Sequence, residues 1–254
     1  MVQEEQAKIS GPTHKFVGYY HNRSHEKYLL EKQQLSFEVD YDVFESKFWP
    51  KIGTRKNMKK LSPTLVWTEI YSVIKGGQRS CDYYMGYLPK NVYMKDEATD
   101  FLYLNEKKAI YYIFLEYEKW KAEQRAYDFM DVINHIQKRL WYGEALKRMK
   151  MDYLMVDEVQ DLTPKTLQIL LKLTSHNVFF AGDTAQTIAK GVGARFLDLR
   201  HLFAGMNYDV PKIVQLNTNY RSHGRILDLA NSVVSLIELF FPKTIDKLAK
   251  EDSE

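Results

Sequence analysis

Residues 153–190 constrain the fold more than any other stretch, and they read YLMVDEVQDLTPKTLQILLKLTSHNVFFAGDTAQTIAK. Tyr153 to Val156 is a short apolar run that predicts a fully buried parallel strand, and it stops abruptly at Asp157 and Glu158. Thr163-Pro164 supplies an N-cap and a first-turn proline, which predicts a helix through Thr174 with Leu167, Leu170 and Leu171 toward the sheet. Asn177 to Ala181 repeats the strand pattern and is broken by Gly182-Asp183 before the polar turn Thr184-Ala185-Gln186. Strand, helix and strand make a βαβ unit, whose right-handed crossover brings both strand ends to one edge. Ligands bind at that edge of an α/β sheet. Adjacent carboxylates there divide two tasks, one holding a hydrated Mg²⁺ and the other orienting or deprotonating water. The pattern points to nucleotide hydrolysis, although an isolated Asp-Glu pair fits an acidic helix cap equally well.

Size and composition allow such a domain. At 254 residues the chain is long enough for one large α/β domain or for a domain carrying an insertion. The 45% hydrophobic share, with 18 Tyr and 13 Phe, excludes a disordered chain. A net charge of +3 permits contact with nucleic acid without implying it, because a binding groove needs clustered Lys and Arg. Cys81 is the single cysteine, so internal disulfides and cysteine zinc clusters are excluded and a reducing compartment is expected. Met1 to Ser10 has no apolar signal core, and no run reaches spanning length. The expectation is an intracellular protein of nucleus or cytoplasm, away from membranes, in which the Asn22-Arg23-Ser24 sequon is unused.

In chain order, Leu35 to Val39 reads as a short strand and Tyr41 to Trp49 as a helix stopped by Pro50. His21 and His25 have the spacing of a zinc half-site but no third ligand, and surface is the expected role. Lys51, Arg55, Lys56, Lys59 and Lys60 read as a solvated linker in preference to the alternative of a phosphate-contacting loop. Ser62-Pro63 opens a helix whose stripe of Leu65, Val66, Ile70, Val73 and Ile74 ends at Gly76-Gly77, with Trp67 and Tyr71 expected in the core. A second helix, Asn105 to Gln124, should bury Ile110, Ile113, Phe114, Tyr117 and Trp120. A third, Asp128 to Trp141, should bury Phe129, Val132, Ile133, Ile136 and Leu140. Lys212 to Leu216 suits another strand, and Ser222 a cap for the helix carrying Ile226, Leu229, Val233, Leu236 and Phe240 before Pro242.

Asp157-Glu158-Val159-Gln160-Asp161 resembles motif II of superfamily 1 helicases of the UvrD/Rep type. Gly182-Asp183-Thr184-Ala185-Gln186-Thr187-Ile188 resembles their motif III, and Asn219-Tyr220-Arg221-Ser222 is similar to their motif IV, in the correct order. The wording from Gly182 to Gly193 and at Asp198-Leu199-Arg200 most resembles a eukaryotic branch whose members contain TPR and ankyrin repeats. The resemblance implies an α/β, RecA-like P-loop NTPase-type parallel sheet, a partial domain 1A, with an inserted helical subdomain like 1B. The Asp-Phe element at Asp128-Phe129 marks the return from that insertion. The implied layout is a mixed segment at 1–60, the helical subdomain at 61–126, the 1A back half at 127–242 and a polar tail at 243–254.

For the site, the resemblance implies ATP and Mg²⁺ as cofactors. Asp157 is the implied Mg²⁺ residue with Glu158 beside it, Glu158 the general base, Gln186 the γ-phosphate contact and Arg221 a finger stabilising charge during transfer. Gln160 braces the loop, and Asp157, Gln160, Asp183 and Tyr220 are the implied nucleotide-binding positions. The implied partner is nucleic acid, single-stranded. Where bacterial members carry a base-stacking aromatic residue, this chain reads Ala189-Lys190-Gly191-Val192, leaving Lys190, Arg195 and Arg200 for phosphates. No stretch fits the G-x-x-x-x-G-K-S/T phosphate cradle. The expectation is therefore an incomplete ATPase core whose P-loop and second motor domain come from the rest of a larger protein; the alternative is a helicase-like interaction module without turnover.

Overall fold

The computed structural model describes residues 37–52, 61–96, 102–142, 151–186, 196–241 and 252–253, and the backbone of two short strands, β1 (Gln6–Ser10) and β2 (Lys15–Tyr19). His21, His25, the Asn22 sequon, Arg55, Lys56, Lys59, Lys60, Ala189, Lys190 and Arg195 lie outside the described residues.

β3 (Phe37–Glu38) leads into α1, residues 41–52, which widens to π geometry over Phe44–Phe48. The sequence expectation that Pro50 stops this helix is corrected, because the helix runs to Ile52. The Trp49 N–H donates to the Phe44 carbonyl, so the bonding register has already changed where the proline lacks an N–H and its ring needs room. α2 spans residues 63–75, with the Ser62 hydroxyl accepting from Leu65 N–H and Pro63 in the first turn, and it turns π-helical over Glu69–Lys75. It ends at Gly76, as the sequence predicts. A short α3 (Lys90–Tyr93) precedes the long α4 (Leu104–Gln124), which Arg125 closes in the left-handed conformation at φ 55°.

These helices share one core. Phe44, Phe48, Trp67, Ile70, Ile74, Ile110, Ile113, Phe114, Tyr117 and Trp120 are all buried in it. Phe44 lies 5.1 Å from Trp67 and 5.5 Å from Tyr117 between ring centroids, and Trp67 stacks on Tyr71 at 5.3 Å. Each such aromatic side chain contributes roughly 1.5–3 kcal/mol through burial, which is why both rings of the α2 stripe face inward. Lys51 places its ammonium 5.6 Å from the Trp120 ring.

β4 (Ala126–Tyr127) pairs in parallel with β3, and α5 (Phe129–Tyr142) follows. The expected buried face of α5 is corrected. Phe129, Val132 and Ile136 are exposed, whereas Met130, Ile133 and Gln137 are buried. Met130 and Ile133 meet Ile169, and Gln137 Nε2 donates to the Cys81 carbonyl at 2.8 Å, so the packed neighbours select a face rotated from the most apolar one.

β5 (Met151–Val156), α6 (Pro164–Lys172) and β6 (Thr174–Phe180) form the βαβ unit. The strands are parallel, with Tyr153 opposite Asn177 and Val156 opposite Phe180. Thr163 caps α6, which ends at Lys172, two residues before the expected end. α7 (Phe196–Gly205) adds Leu199, Leu202 and Phe203 to the Val159, Leu167 and Leu171 core beneath the strands. The expectation of a fully buried strand is corrected: Tyr153, Met155 and Phe179 are exposed on the opposite face. Among the described residues the helices cover one face of this pair, and strand alternation leaves every second side chain on the other.

β7 (Thr218–Asn219) pairs with β8 (Asp252–Ser253) and leads to α8 (Gly224–Phe240). Residues 212–216 do not form the expected strand; they are unpaired with any described strand, and Val214 and Leu216 are more than 80% exposed. The cap of α8 is His223, whose Nδ1 accepts from Arg225 N–H at 3.3 Å, rather than Ser222. Among the described residues, the sheets are each two strands wide. No described helix is long and apolar enough to cross a membrane.

An ionic cluster absent from the sequence reading joins α2, α4 and α5. Lys75 Nζ donates to Asp128 at 2.6 Å, to Asp131, and to Glu118 at 3.1 Å; Lys121 Nζ donates to Asp128 at 2.7 Å and Asp131 at 2.6 Å. Burial disfavours both ammoniums, but Asp128, Asp131 and Glu118 outweigh it and raise both pKa values. Asp128→Asn keeps the shape and removes the shared charge. It should cost about 3–5 kcal/mol in urea unfolding, since two buried ammoniums lose the most buried carboxylate they share.

Glu69, 1% exposed on the π segment of α2, accepts from the Tyr93 hydroxyl at 2.6 Å. Burial outweighs that bond and Lys107, pushing its carboxyl up to about 7 from 4.5. The folded chain thus keeps a proton that the unfolded chain releases between those values, and stability from this group falls as pH rises across them. Glu69→Gln should remove that slope: the difference in unfolding free energy between the two proteins should change by on the order of 3 kcal/mol from pH 4.5 to 7.

Candidate functional site

The ends of β5 and β6 are stitched together before any side chain is considered. Ala181 N–H donates to the Val156 carbonyl at 2.9 Å, and Val159 N–H returns a bond to the Ala181 carbonyl at 3.0 Å. Asp157 and Glu158 are thereby held beside Gly182 and Asp183, and both acids are exposed at the strand edge. Glu158 adopts the left-handed conformation, φ 51° and ψ 41°. A non-glycine residue there costs about 1–2 kcal/mol. Local bonds hold the turn: Asp157 Oδ1 accepts from Glu158 N–H at 3.0 Å, and the Glu158 carbonyl accepts from Asp161 N–H at 3.0 Å.

Gln160 lies under this turn, 1% exposed, on the short helix Val159–Asp161. Its Nε2 donates to Glu158 Oε2 at 2.6 Å, and its Oε1 accepts from Asp183 N–H at 3.1 Å. Asp183 then caps the next turn: Oδ1 accepts from Ala185 N–H at 2.9 Å and Oδ2 accepts from Gln186 Nε2 at 2.8 Å. Gln186 is exposed. Asp157, Glu158, Gln160, Asp183 and Gln186 therefore occupy one edge, in two loops.

Tyr220 and Arg221 belong to a different substructure. Asn219 Oδ1 accepts from the Arg221 and Ser222 N–H groups, both at 2.9 Å, forming a turn that leaves Tyr220 77% exposed and Arg221 exposed. Among the described residues, no hydrogen bond or ion pair joins Arg221 to Asp157 or Glu158.

The donor set at the strand edge suits a hard divalent cation. Mg²⁺ is held by one or two carboxylates, with substrate phosphates and water completing its shell, and the exposed Asp157 offers such an oxygen beside a second exposed acid. The other triad of carboxylates, Glu118, Asp128 and Asp131, already holds two ammoniums and is a structural ion cluster.

The sequence reading missed the anchors behind the edge. Lys165 is buried; its N–H donates to the Gly76 carbonyl at 2.9 Å and its Nζ to the Gly86 carbonyl at 2.7 Å, tying α6 to the loop after α2. Burial pushes the Lys165 ammonium down to about 8. Nothing in Thr163-Pro164-Lys165 marks a lysine for burial, since its partners are carbonyls 79 and 89 residues earlier in the chain. Gly182, read from the sequence as the strand breaker, also has a packing role that the sequence did not show. A Cβ there would overlap Gln160 Oε1 and sit 2.9 Å from Val159 Cγ1. Gly182→Ala should therefore destabilise by about 1–3 kcal/mol and expose Asp183 N–H to faster hydrogen exchange, measured by denaturation and NMR.

Comparison with known proteins bears out the family resemblance. The profile of the UvrD/REP helicase N-terminal domain matches residues 23–196, more than half of the chain. Human TPR and ankyrin repeat-containing protein 1 is 34% identical over 228 residues, covering 84% of this chain and 8% of that protein. ATP-dependent DNA helicase Rep of Escherichia coli is 34% identical over 113 residues, 42% of this chain and 16% of the helicase. Its counterpart from Buchnera aphidicola of Acyrthosiphon pisum is 30% identical over 138 residues, 52% of this chain and 21% of that protein. The matched stretch spans about a fifth or less of these relatives. This chain belongs to the UvrD/REP helicase N-terminal domain family.

Proposed function

We propose that the chain contributes part of the nucleotide site of an ATP-dependent helicase-type motor. The observation that carries the reading is the meeting of Asp157 and Glu158 with Asp183 and Gln186 at one edge of a parallel pair, the place where such sheets bind ligands. Asp157 would hold Mg²⁺, which when bound neutralises charge on the phosphates. Glu158 would accept a proton from the attacking water, Gln186 would contact the γ-phosphate, and Asp183 and Gln160 would fix the two loops. Arg221, with Tyr220 beside it, would reach the phosphates from the second substructure, as an arginine finger does.

On this reading the phosphate cradle and the second motor domain come from other polypeptide, because no stretch of this sequence fits the P-loop pattern. The helices of residues 61–126 correspond to a 1B-like insertion and residues 127–242 to the back half of a RecA-like domain. Single-stranded nucleic acid is the partner on this reading, in keeping with relatives named as DNA helicases, and an intracellular setting goes with it. Proton abstraction by a positioned carboxylate contributes roughly 10²–10⁴-fold to a rate. In a polypeptide that carries a P-loop with this chain, Glu158→Gln should therefore lower ATP turnover by about that factor while nucleotide binding, followed by titration calorimetry, persists. Unchanged turnover would remove Glu158 as the base. A wild-type polypeptide that binds ATP without hydrolysing it would favour the interaction-module reading.

A further inference from the structure

A single hydrogen-bonded line crosses both strand ends: Glu158 carboxylate, Gln160 amide, Asp183 N–H, and through the Asp183 carboxylate to the Gln186 amide, with contacts of 2.6, 3.1 and 2.8 Å. Its middle member has one chemically allowed orientation. An amide offers an NH₂ donor on one side and a carbonyl acceptor on the other. Reversal of Gln160 would set its carbonyl against the Glu158 carboxylate and its NH₂ against the Asp183 N–H, losing both bonds and opposing like partial charges. At 1% exposure, water cannot replace them cheaply. Gly182 supplies the space, since a Cβ would overlap the Gln160 carbonyl oxygen. Glu158 supplies the need, because a residue in the left-handed region relaxes unless its neighbours hold it.

We propose that Gln160 is a positioning residue that couples Glu158 to Gln186, so that displacement of the Thr184–Gln186 turn is passed through Asp183 N–H and the Gln160 amide to the Glu158 carboxylate. The inference rests on the reading of Glu158 and Gln186 as base and phosphate contact. Its structural half stands on this chain alone. Gln160 touches neither phosphate nor water in this scheme; it sets where Glu158 points. Methionine at this position keeps length and volume but has no NH₂ or carbonyl, and glutamate places a second carboxylate against Glu158.

The test begins with NMR of the ¹⁵N-labelled chain. In Gln160→Met, Asp183 N–H exchange should accelerate about tenfold or more and the Gln186 side-chain amide signal should shift, while protection within α6 is retained. Gln160→Asn, an amide one methylene shorter, is the second variant and should show the same two changes. Unmoved Asp183 and Gln186 signals in either folded variant would overturn the coupling. In the P-loop-carrying polypeptide, Gln160→Met should lower kcat about tenfold with KM for ATP unchanged, whereas a rise in KM at constant kcat would overturn it. The two readings fail separately. Full turnover in Glu158→Gln removes the base while the NMR coupling stands; lost turnover in Glu158→Gln with an unaffected Gln160→Met removes the coupling while the base stands.

Discussion

Two buried lysine ammoniums, the buried Asp128 and the half-buried Glu118 and Asp131 meet between the end of α2, the last turns of α4 and the first turn of α5. Lys75 and Asp128 are each about 3% exposed or less, and so is Lys121, so none of them has water to fall back on. Asp128 also serves as the N-cap of α5: its Oδ1 accepts from Asp131 N–H at 3.0 Å while Asp131 Oδ2 accepts from Asp128 N–H at 2.9 Å, the reciprocal pattern of a capping box. The same carboxylate thus starts a helix and neutralises two others. Tyr117 adds a hydroxyl to it at 3.1 Å from within the aromatic core. A network of this kind is stable only when every member is present, which fixes the register of the three helices against each other.

From that cluster the chain continues directly to the candidate site. Lys75 is followed by Gly76, whose carbonyl takes the Lys165 N–H and whose α-carbon lies against Thr163. Thr163 caps α6, and α6 packs beneath the strands whose ends carry the acids. The helical part and the βαβ unit therefore meet through backbone and cap contacts together with the apolar cluster of Met130, Ile133 and Ile169, against which Tyr71 packs. The backbone and cap contacts are directional, and they leave the acidic edge open while its base is held.

Much of this was legible from pattern. The buried face of α4, the cap and proline of α2 and α6, the parallel pairing of β5 with β6 and the two acids at the strand end all follow from periodicity and local capping chemistry. These are short-range properties, set by residues three or four apart or by alternation along a strand. The misses share a different cause. α5 turns Met130 inward beside the expected Ile133 and leaves Phe129 and Val132 outside, because Ile169 lies against Met130 and Ile133, and Pro50 is tolerated because a π turn precedes it. Tyr153 and Met155 face outward because the described helices cover the other side of the sheet.

The sequence by itself determined the family and the type of most described segments, helix or strand, because side-chain type, spacing and capping act locally. Only the tertiary structure decided which faces are buried, why Lys75, Lys121 and Lys165 are enclosed, and how Gln160 joins Glu158 to Asp183. Apart from Lys121, whose carboxylates lie 7 and 10 residues on, those outcomes depend on partners distant in the chain, 23 residues for Gln160, 53 for Lys75 and 79 for Lys165, and burial energy and hydrogen-bond satisfaction are settled by the neighbour that arrives, not by the residue that waits for it.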